Sequence, residues 1–541
     1  MHDNQANLNR SRAAMIRSPN PNQLSIADFD WPFLTPLDEN NRWVQLSQCI
    51  PWQPLTEAYC QGLDQTQGRP TKDARLVIGA VIIKHKLCLS DRETVAQIQE
   101  NPYLQYFVGL PGFQLAEPFH ASLLVKIRKR MGAAVFKAFE SAIIASVEEA
   151  RVRADAKKSQ SHHRSDQDHD EPPPPALGDE PSKAAETHQG KLILDATVAP
   201  QAIRYPTDLS LLNEAREFTE QIIDRLSAKT PLKNKPRTYR RKARQAYLAI
   251  AKKKRLSARV RRRGIKQQLQ YLRRNLGHIE TLLSHFPPGE RLPLPNWLLR
   301  RYWVIPHLYA QQLEMYQNKT HRCDDRIVSL SQPHVRPIVR GKLGKPVEFG
   351  AKLSVSLNAD GIACVDHLRW DAFHEGLDLP SQVEAYRQRH GYYPEVVLGD
   401  PVYGMRDNRK SLKQLGIRFA GKPLGRPRQV TEENAAELRK AKAKQRAAYR
   451  QRIPIEGKFG QGKTGYRLNY IRAKRADTSL AWINSIFLVM NLMVLLKLFF
   501  ALKIWARMTL AACFKGVGVI GDDQWRHVCY PACQRTSLWV I

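Results

Sequence analysis

Three acidic residues stand where side chains could do chemistry. Asp195 closes the apolar run of KLILDATVA (191–199), Asp400 closes that of EVVLGD (395–400), and Glu456 lies within AYRQRIPIEGKFGQGK (448–463). The first two runs read as buried strands that stop at an acid, and open α/β sheets place ligands beyond such strand ends. A single strand-ending Asp is more often a turn former or a helix cap. Two on neighbouring strands carry more weight, because carboxylates held close together repel, and a cluster of them is tolerable when Mg²⁺ or Mn²⁺ neutralises it. Two such ions about 4 Å apart can activate an attacking oxygen and stabilise a leaving one, which is what phosphodiester chemistry requires.

Around the third acid the spacing is Tyr449-x2-Arg452-x3-Glu456-x6-Lys463. At about 100° per residue these four positions fall within about 60° of helix circumference. One face would then carry a metal-binding carboxylate among phosphate-contacting Tyr, Arg and Lys side chains. Pro454, with Gly457, Gly460 and Gly462 after it, predicts a break near Ile453 that would leave Tyr449 and Arg452 on a preceding segment. The alternative is a merely solvated charged face.

The elements that must position these residues can be read along the chain. After a polar tail (1–25), residues 26–150 have helical periodicity: Leu76, Val77, Ala80, Ile83 and Lys84 share a face, and Ser90 with Glu93 forms a capping-box pattern. Residues 151–190, with four consecutive prolines and few apolar side chains, read as a flexible linker. The first strand follows, and strand-like alternation resumes at KLSVSLNADGIACVDHLRW (352–370), with Asp360-Gly361 as a hairpin signal. SQVEAYRQRHG reads as a helix, EVVLGD as a strand, RDNRKSLKQLG as a short helix and IRFAGKPL as a strand, before the helix that bears Glu456. This order predicts a mixed α/β sheet with helices on its faces, in two pieces, 191–205 and 346–480.

Between those pieces lies an insertion, 206–345. Its centre, 233–274, has 18 Lys/Arg and no Asp or Glu, with Tyr239, Tyr247 and Tyr271 interleaved. An unrelieved run of one sign predicts nucleic-acid contact, with a disordered basic arm as the alternative. Arg240, Arg241, Lys252, Lys253, Lys254, Arg261, Arg262 and Arg263 are the candidate contacts. The whole chain points the same way: 541 residues, 43% hydrophobic, carry 85 Lys+Arg against 51 Asp+Glu, a net charge of +34. That excludes a disordered polymer and favours a polyanionic partner, without saying which one.

The ends of the chain are less informative. The apolar stretch 482–503 is interrupted by Asn484, Asn491, Lys497 and Lys503, which favours a buried helix over a membrane span. It opens a C-terminal helix and tail, 481–541. Eight scattered cysteines and a polar N-terminus predict reduced thiols and a cytoplasmic setting. His527, Cys529 and Cys533 hint at zinc but lack a paired CxxC.

The Y-x2-R-x3-E-x6-K spacing resembles the signature of bacterial insertion-sequence DDE transposases. Asp195 in LILDATV and Asp400 in VVLGDPVYG stand where that family has its two aspartates. NPYLQYFVGL (101–110), RYPTDLSLLNEARE (204–217), DRIVSLSQPHVRPIVRGK (325–342) and PLGRP (423–427) also look like one subgroup of these enzymes. The resemblance runs from about residue 30 to 500. It implies an RNase H-like catalytic core, to which the residues themselves add an all-helical N-terminal domain, possibly DNA-binding, and the basic helical insertion after the first strand. It further implies Asp195, Asp400 and Glu456 as catalytic residues binding two Mg²⁺ ions (Mn²⁺ substituting), and Tyr449, Arg452 and Lys463 on the DNA backbone. The reaction would be cleavage at the ends of a mobile element followed by strand transfer to target DNA, by a homodimer associated with the bacterial nucleoid. The insertion of some relatives lies just before the glutamate-bearing helix, so roles known for that insertion do not transfer. Rival readings are a catalytically inactive, transposase-derived DNA-binding protein, another RNase H-like nuclease, and a basic RNA-binding or structural protein.

Overall fold

A computed structural model describes residues 25–30, 35–63, 70–162, 188–231, 234–287, 289–342, 345–425, 429, 431 and 434–516. The expected polar tail up to residue 24, residues 163–187 of the expected linker, and the segment holding His527, Cys529 and Cys533 lie outside them. None of the five described cysteines forms a disulfide.

Seven helices come first: α1 (Arg42–Cys49), α2 (Trp52–Cys60), α3 (Ala74–Lys86), α4 (Asp91–Glu100), α5 (Pro102–Phe107), α6 (Leu123–Arg130) and α7 (Ala133–His162). The capping box of α4 forms in both directions, Ser90 to the Glu93 N–H and the Glu93 carboxylate to the Ser90 N–H. In α3 every residue from Ala74 to His85 is buried, so the amphipathic stripe expected there belongs to a helix enclosed on all sides. The last helix, α7, runs past residue 151 to His162, into the segment expected to be linker.

The sheet begins with β1 (Lys191–Pro200). Four helices follow: α8 (Asp208–Ser227), α9 (Arg240–Ala251), α10 (Ala258–Leu283) and α11 (Asn296–Gln317). Then come β2 (Arg336–Lys342), β3 (Lys345–Leu357), β4 (Ala363–Arg369), α12 (Leu379–His390), β5 (Val396–Leu398), α13 (Arg406–Gln414), β6 (Arg418–Phe419), α14 (Ala435–Gly465) and α15 (Ala476–Gly516). Central β1 is antiparallel to β3 on one side and parallel to β5 on the other, and β6 extends the sheet parallel to β5. The first half of β3 pairs with β2, and its second half lies between β1 and β4. At the β3–β4 turn Gly361 takes φ +84°, and the Asn358 carboxamide oxygen accepts from the Asp360 and Ile362 N–H groups at 3.1 and 2.9 Å.

Three local expectations change. The sheet reclaims 336–342 from the stretch assigned to the insertion, because β2 is a strand by virtue of its partner β3 and has little alternation of its own. The IRFAGKPL strand shrinks to Arg418–Phe419, ended by Gly421 and Pro423. And Asp195 sits in the middle of β1, not at its end, because Ala196 to Pro200 continue to pair with β3.

The hydrophobic core divides unevenly. Leu211, Leu212 and Ala215 of α8 pack with Leu269 and Leu272 of α10 and with Ile305 and Leu308 of α11, giving the insertion a core of its own. The N-terminal helices have no such independence: Trp43, Ile78, Phe107 and Phe139 share one cluster with Ile193, Leu353 and Leu398 of the sheet and with Phe487 and Leu492 of α15. Residues 476–501 of α15 are long and apolar enough to cross a membrane, yet the most apolar window is 67% buried inside the molecule. An ion triad fixes its entry. Asp91 pairs with Lys84 at 2.9 Å and Arg128 at 2.7 Å, and both cations stand over the Trp482 ring, 4.6 and 5.4 Å from its centroid.

Candidate functional site

Register brings the two aspartates together. The parallel β1–β5 ladder ends at the pair Ile193–Leu398, and Asp195 and Asp400 each lie two residues beyond it. Side chains two residues apart on a strand point the same way, so Asp195 shares the face of Ile193; Asp400 follows where β5 has stopped, near enough for its charge to act on Asp195 and Arg452. The sheet changes there from parallel to antiparallel pairing on its two sides of β1. Gly399, between Leu398 and Asp400, lies against the buried Tyr403, and a Cβ on it would come within 3.1 Å of that ring. Asn408 Nδ2 donates to the carbonyls of Gly376 (2.7 Å) and Tyr403 (3.0 Å), pinning the turn that follows Asp400.

Glu456 arrives on α14, which packs across β1 and β5. Ile455, Lys458, Phe459 and Gly462 form its buried strip. Lys458 reaches under the hairpin, donating to the Gly361 carbonyl at 3.0 Å, and burial lowers its amine to about 8. The helix runs unbroken from Ala435 to Gly465 with Pro454 inside it. Proline removes one N–H, leaving the Arg450 carbonyl without its helical partner. That loss falls where Arg450 and Pro454 are both exposed to water, while Ile455 and Phe459 anchor the turns beyond. The expected break near 453 therefore does not occur, and Tyr449, Arg452, Glu456 and Lys463 share one continuous helix.

Arg452 is the hub of the site. Its Nη1 donates to Asp195 Oδ2 at 3.2 Å and its Nη2 to Glu456 Oε1, so one guanidinium spans two of the three acids. Its charged centre also lies 5.3 Å from the centroid of the Tyr449 ring. Burial raises the Asp195 carboxyl pKa, and the negative charges of Asp400 and Glu456 push it the same way. The Ala196 N–H, which donates to Asp195 Oδ1 at 2.8 Å, and Arg452 pull against them. Burial disfavours the Arg452 charge, but Asp195, Glu456 and Asp400 outweigh it and hold the guanidinium above its usual value. The Asp195 side chain is only 20% exposed, whereas that of Glu456 is 47% exposed. Lys463 lies half-buried on the same helix, about two turns beyond Glu456.

Among the described residues no group of three His, Cys, Asp or Glu is disposed to hold a metal ion as it stands. The donor chemistry nevertheless fits a hard divalent cation, since it consists of carboxylate oxygens. Positive charge is already demanded there, and the Arg452 side chain supplies it between Asp195 and Glu456.

The basic candidates of the insertion are spread out. Arg241, Lys252, Lys253, Lys254, Arg261 and Arg263 are exposed. Arg240 pairs with Asp224 at 2.6 Å. Arg262 is half-buried, donating to the Tyr316 carbonyl at 2.9 Å with its guanidinium 4.0 Å from that ring's centroid. Several structural supports of the acidic centre escaped the sequence reading: Tyr403, Asn408 and the bridging orientation of Arg452. The first two had only their place just after VVLGD to mark them.

Residues 33–130 match the family described as Transposase domain (DUF772), and residues 397–493 match the family described as Transposase DDE domain. The second match contains Asp400 and Glu456. A protein of Rhizobium meliloti, described as uncharacterized protein ORF8 in the nfe locus, is 33% identical over 175 residues, covering 32% of this chain and 69% of that protein. No solved structure matches the chain significantly. Two transposase families thus meet in one molecule, one on the helices that share the sheet's core and the other on the segment that carries two of the three acids. The chain belongs to the insertion-sequence transposases with a DDE domain, which act on DNA.

Proposed function

We propose that this transposase cleaves DNA at the ends of its mobile element and joins the freed 3′-hydroxyl to target DNA, using Asp195, Asp400 and Glu456 on an RNase H-like core. The observation that carries the reading is the span of Arg452 between Asp195 and Glu456, with the charge of Asp400 felt by both partners. Three acids from distant stretches of chain thereby converge on one cation-demanding point.

Asp195, Asp400 and Glu456 would hold two divalent ions, Mg²⁺ or Mn²⁺, after Arg452 withdraws. Such ions lower the pKa of an attacking hydroxyl and offset charge on the leaving oxygen. The remaining work falls to the chain: positioning the scissile phosphate and neutralising its neighbours. Tyr449 and Lys463 flank that point on α14, and the exposed cations of α9 and α10 would hold DNA outside it. The protein would act as a homodimer with both element ends held together, in the cytoplasm on nucleoid DNA.

The test uses the full chain and a plasmid carrying the element. Asp195→Asn, Asp400→Asn and Glu456→Gln should each reduce excision by more than about 100-fold, a loss that disturbing even the outer shell of a metal site can reach. Binding to end DNA should stay within about threefold. Excision retained in all three variants would refute the assignment. A binding-only protein would show no excision in the wild type, and a simple nuclease would cut labelled ends without joining them.

A further inference from the structure

The acidic centre opens on one side into a cavity of about 710 Å³. Asp400 and Pro401 line it from the end of β5, and Tyr449 and Arg452 line it from α14. The rest of its charged lining is cationic: Lys422 comes from the stretch after β6, and Lys442, Arg446 and Arg450 come from α14. All four are exposed, and none makes an ion pair with the protein among the described residues. Among the described residues of the lining Asp400 is the only acid.

Helix geometry makes this a track. Taking Lys442 as zero, Arg446, Tyr449, Arg452 and Glu456 fall at about +40°, −20°, −80° and −40° around α14, so the face bearing Glu456 continues back to Lys442. The rise from Lys442 to Glu456 is about 21 Å, and from Lys442 to Arg452 about 15 Å. The latter matches roughly four nucleotides at 3.4 Å of axis rise each. The far wall is braced to the acids. Arg409 Nε donates to the Gly404 carbonyl at 2.9 Å and its Nη2 donates to the Lys422 carbonyl, while its guanidinium lies over Phe419. One side chain thus ties the loop after Asp400 to the loop that offers Lys422.

We infer that Lys422, Lys442 and Arg446 form a phosphate track that grips the DNA strand running away from the scissile bond, for roughly four nucleotides beyond Asp400. The inference rests on the proposed DNA-cleaving function and adds to it where the strand leaves the acids. Three cations and an aromatic wall converge on one concavity, and repulsion among them is relieved when phosphates lie between them.

The opposite face of the same helix supplies the control. Lys440 and Lys444, both exposed, lie about 160° to 200° around from Lys442. Two double variants, Lys442→Glu with Arg446→Glu and Lys440→Glu with Lys444→Glu, change the net charge equally. Their affinity for a fluorescein-labelled 30-base-pair duplex would be followed by anisotropy from 50 to 200 mM salt. Losing two phosphate contacts lowers the salt slope by about 1.8, so the track variant's affinity should change about 12-fold less over that range than the wild type's. The opposite-face variant should keep the wild-type slope. Equal slopes for the two double variants, or a wild-type slope in the track variant, would overturn the inference. Should the glutamate pair fail to fold by circular dichroism, Lys442→Gln with Arg446→Gln against Lys440→Gln with Lys444→Gln decides on the same criterion. Asp195→Asn in the same assay keeps the two claims apart, because it should bind like the wild type whether or not the track exists, and excision alone judges the catalytic reading.

Discussion

The acidic centre and the basic insertion are both charge clusters, but they are built in opposite ways. Asp195, Asp400 and Glu456 come from three separate stretches of chain; folding carries Asp195 and Glu456 to one guanidinium and brings Asp400 close enough for its charge to act on both Asp195 and Arg452. The cations of 233–274 are neighbours in sequence, and folding spreads the described ones over two helices and the segments before and between them. Some of them are engaged by the protein itself: Arg240 and Arg274 stay at the surface, paired with Asp224 and lying over Tyr239 at 4.8 Å, while half-buried Arg262 turns inward to Tyr316. Convergence suits chemistry at a single phosphate. Dispersion suits holding a long polyanion, where each contact adds a small, salt-sensitive increment.

The comparison can be broken at its strongest point first. If the acids act as one unit, the double variant Asp195→Asn with Glu456→Gln should lose no more excision than the worse single variant, since residues of one catalytic unit are grossly non-additive. Full additivity would mean independent roles. Next in size is the support beneath the N-terminal helices. Asp91→Ala leaves Lys84 and Arg128 buried without their acid and should cost about 3 kcal/mol in urea unfolding.

Burial opposes the Asp91 charge, but Arg128 and Lys84 outweigh it and hold the carboxyl below its usual value. Its folded pKa is depressed, so its contribution to stability is complete above about pH 4, the unfolded value, and is lost as pH falls further. The gap in stability between wild type and Asp91→Asn should therefore narrow below that pH. Glu140 has the opposite sign: burial among Cys364, Asp366 and Arg389 raises its carboxyl to about 7. Here the folded state prefers the proton, so stability should fall as pH rises from about 4 to 7. Glu140→Gln should remove that fall, and an unchanged pH profile would contradict the burial.

The insertion should respond more gently. Arg261→Ala and Arg263→Ala should each reduce the salt slope of DNA binding by about 0.9. Arg262→Ala, whose side chain is held by Tyr316, should instead cost about 1 kcal/mol of stability and leave the slope within error. A slope change at Arg262 equal to that at Arg261 would erase the distinction between inward and outward cations.

Local chemistry was legible in the sequence wherever neighbours along the chain decide it. The Ser90–Glu93 cap, the Asn358–Ile362 turn and the spacing on α14 depend on residues a few positions apart, and they form as their types dictate. Proline chemistry alone misjudged α14, because the packing of Ile455 and Phe459 outweighs one lost hydrogen bond. The mid-strand place of Asp195 was also hidden, since only pairing with β3 shows that β1 continues past it.

The amino-acid sequence by itself determined which residues could bind cations or phosphates and how those on one helix align, because residue type and helical period are local properties. Tertiary structure alone decided that β1 and β5 end their pairing two residues short of both aspartates, and that Arg452 turns to the acids. It also decided that the N-terminal helices share a core with the sheet while the insertion keeps its own. Those outcomes depend on strand register and on which apolar faces meet, and neither is encoded in any single stretch of chain.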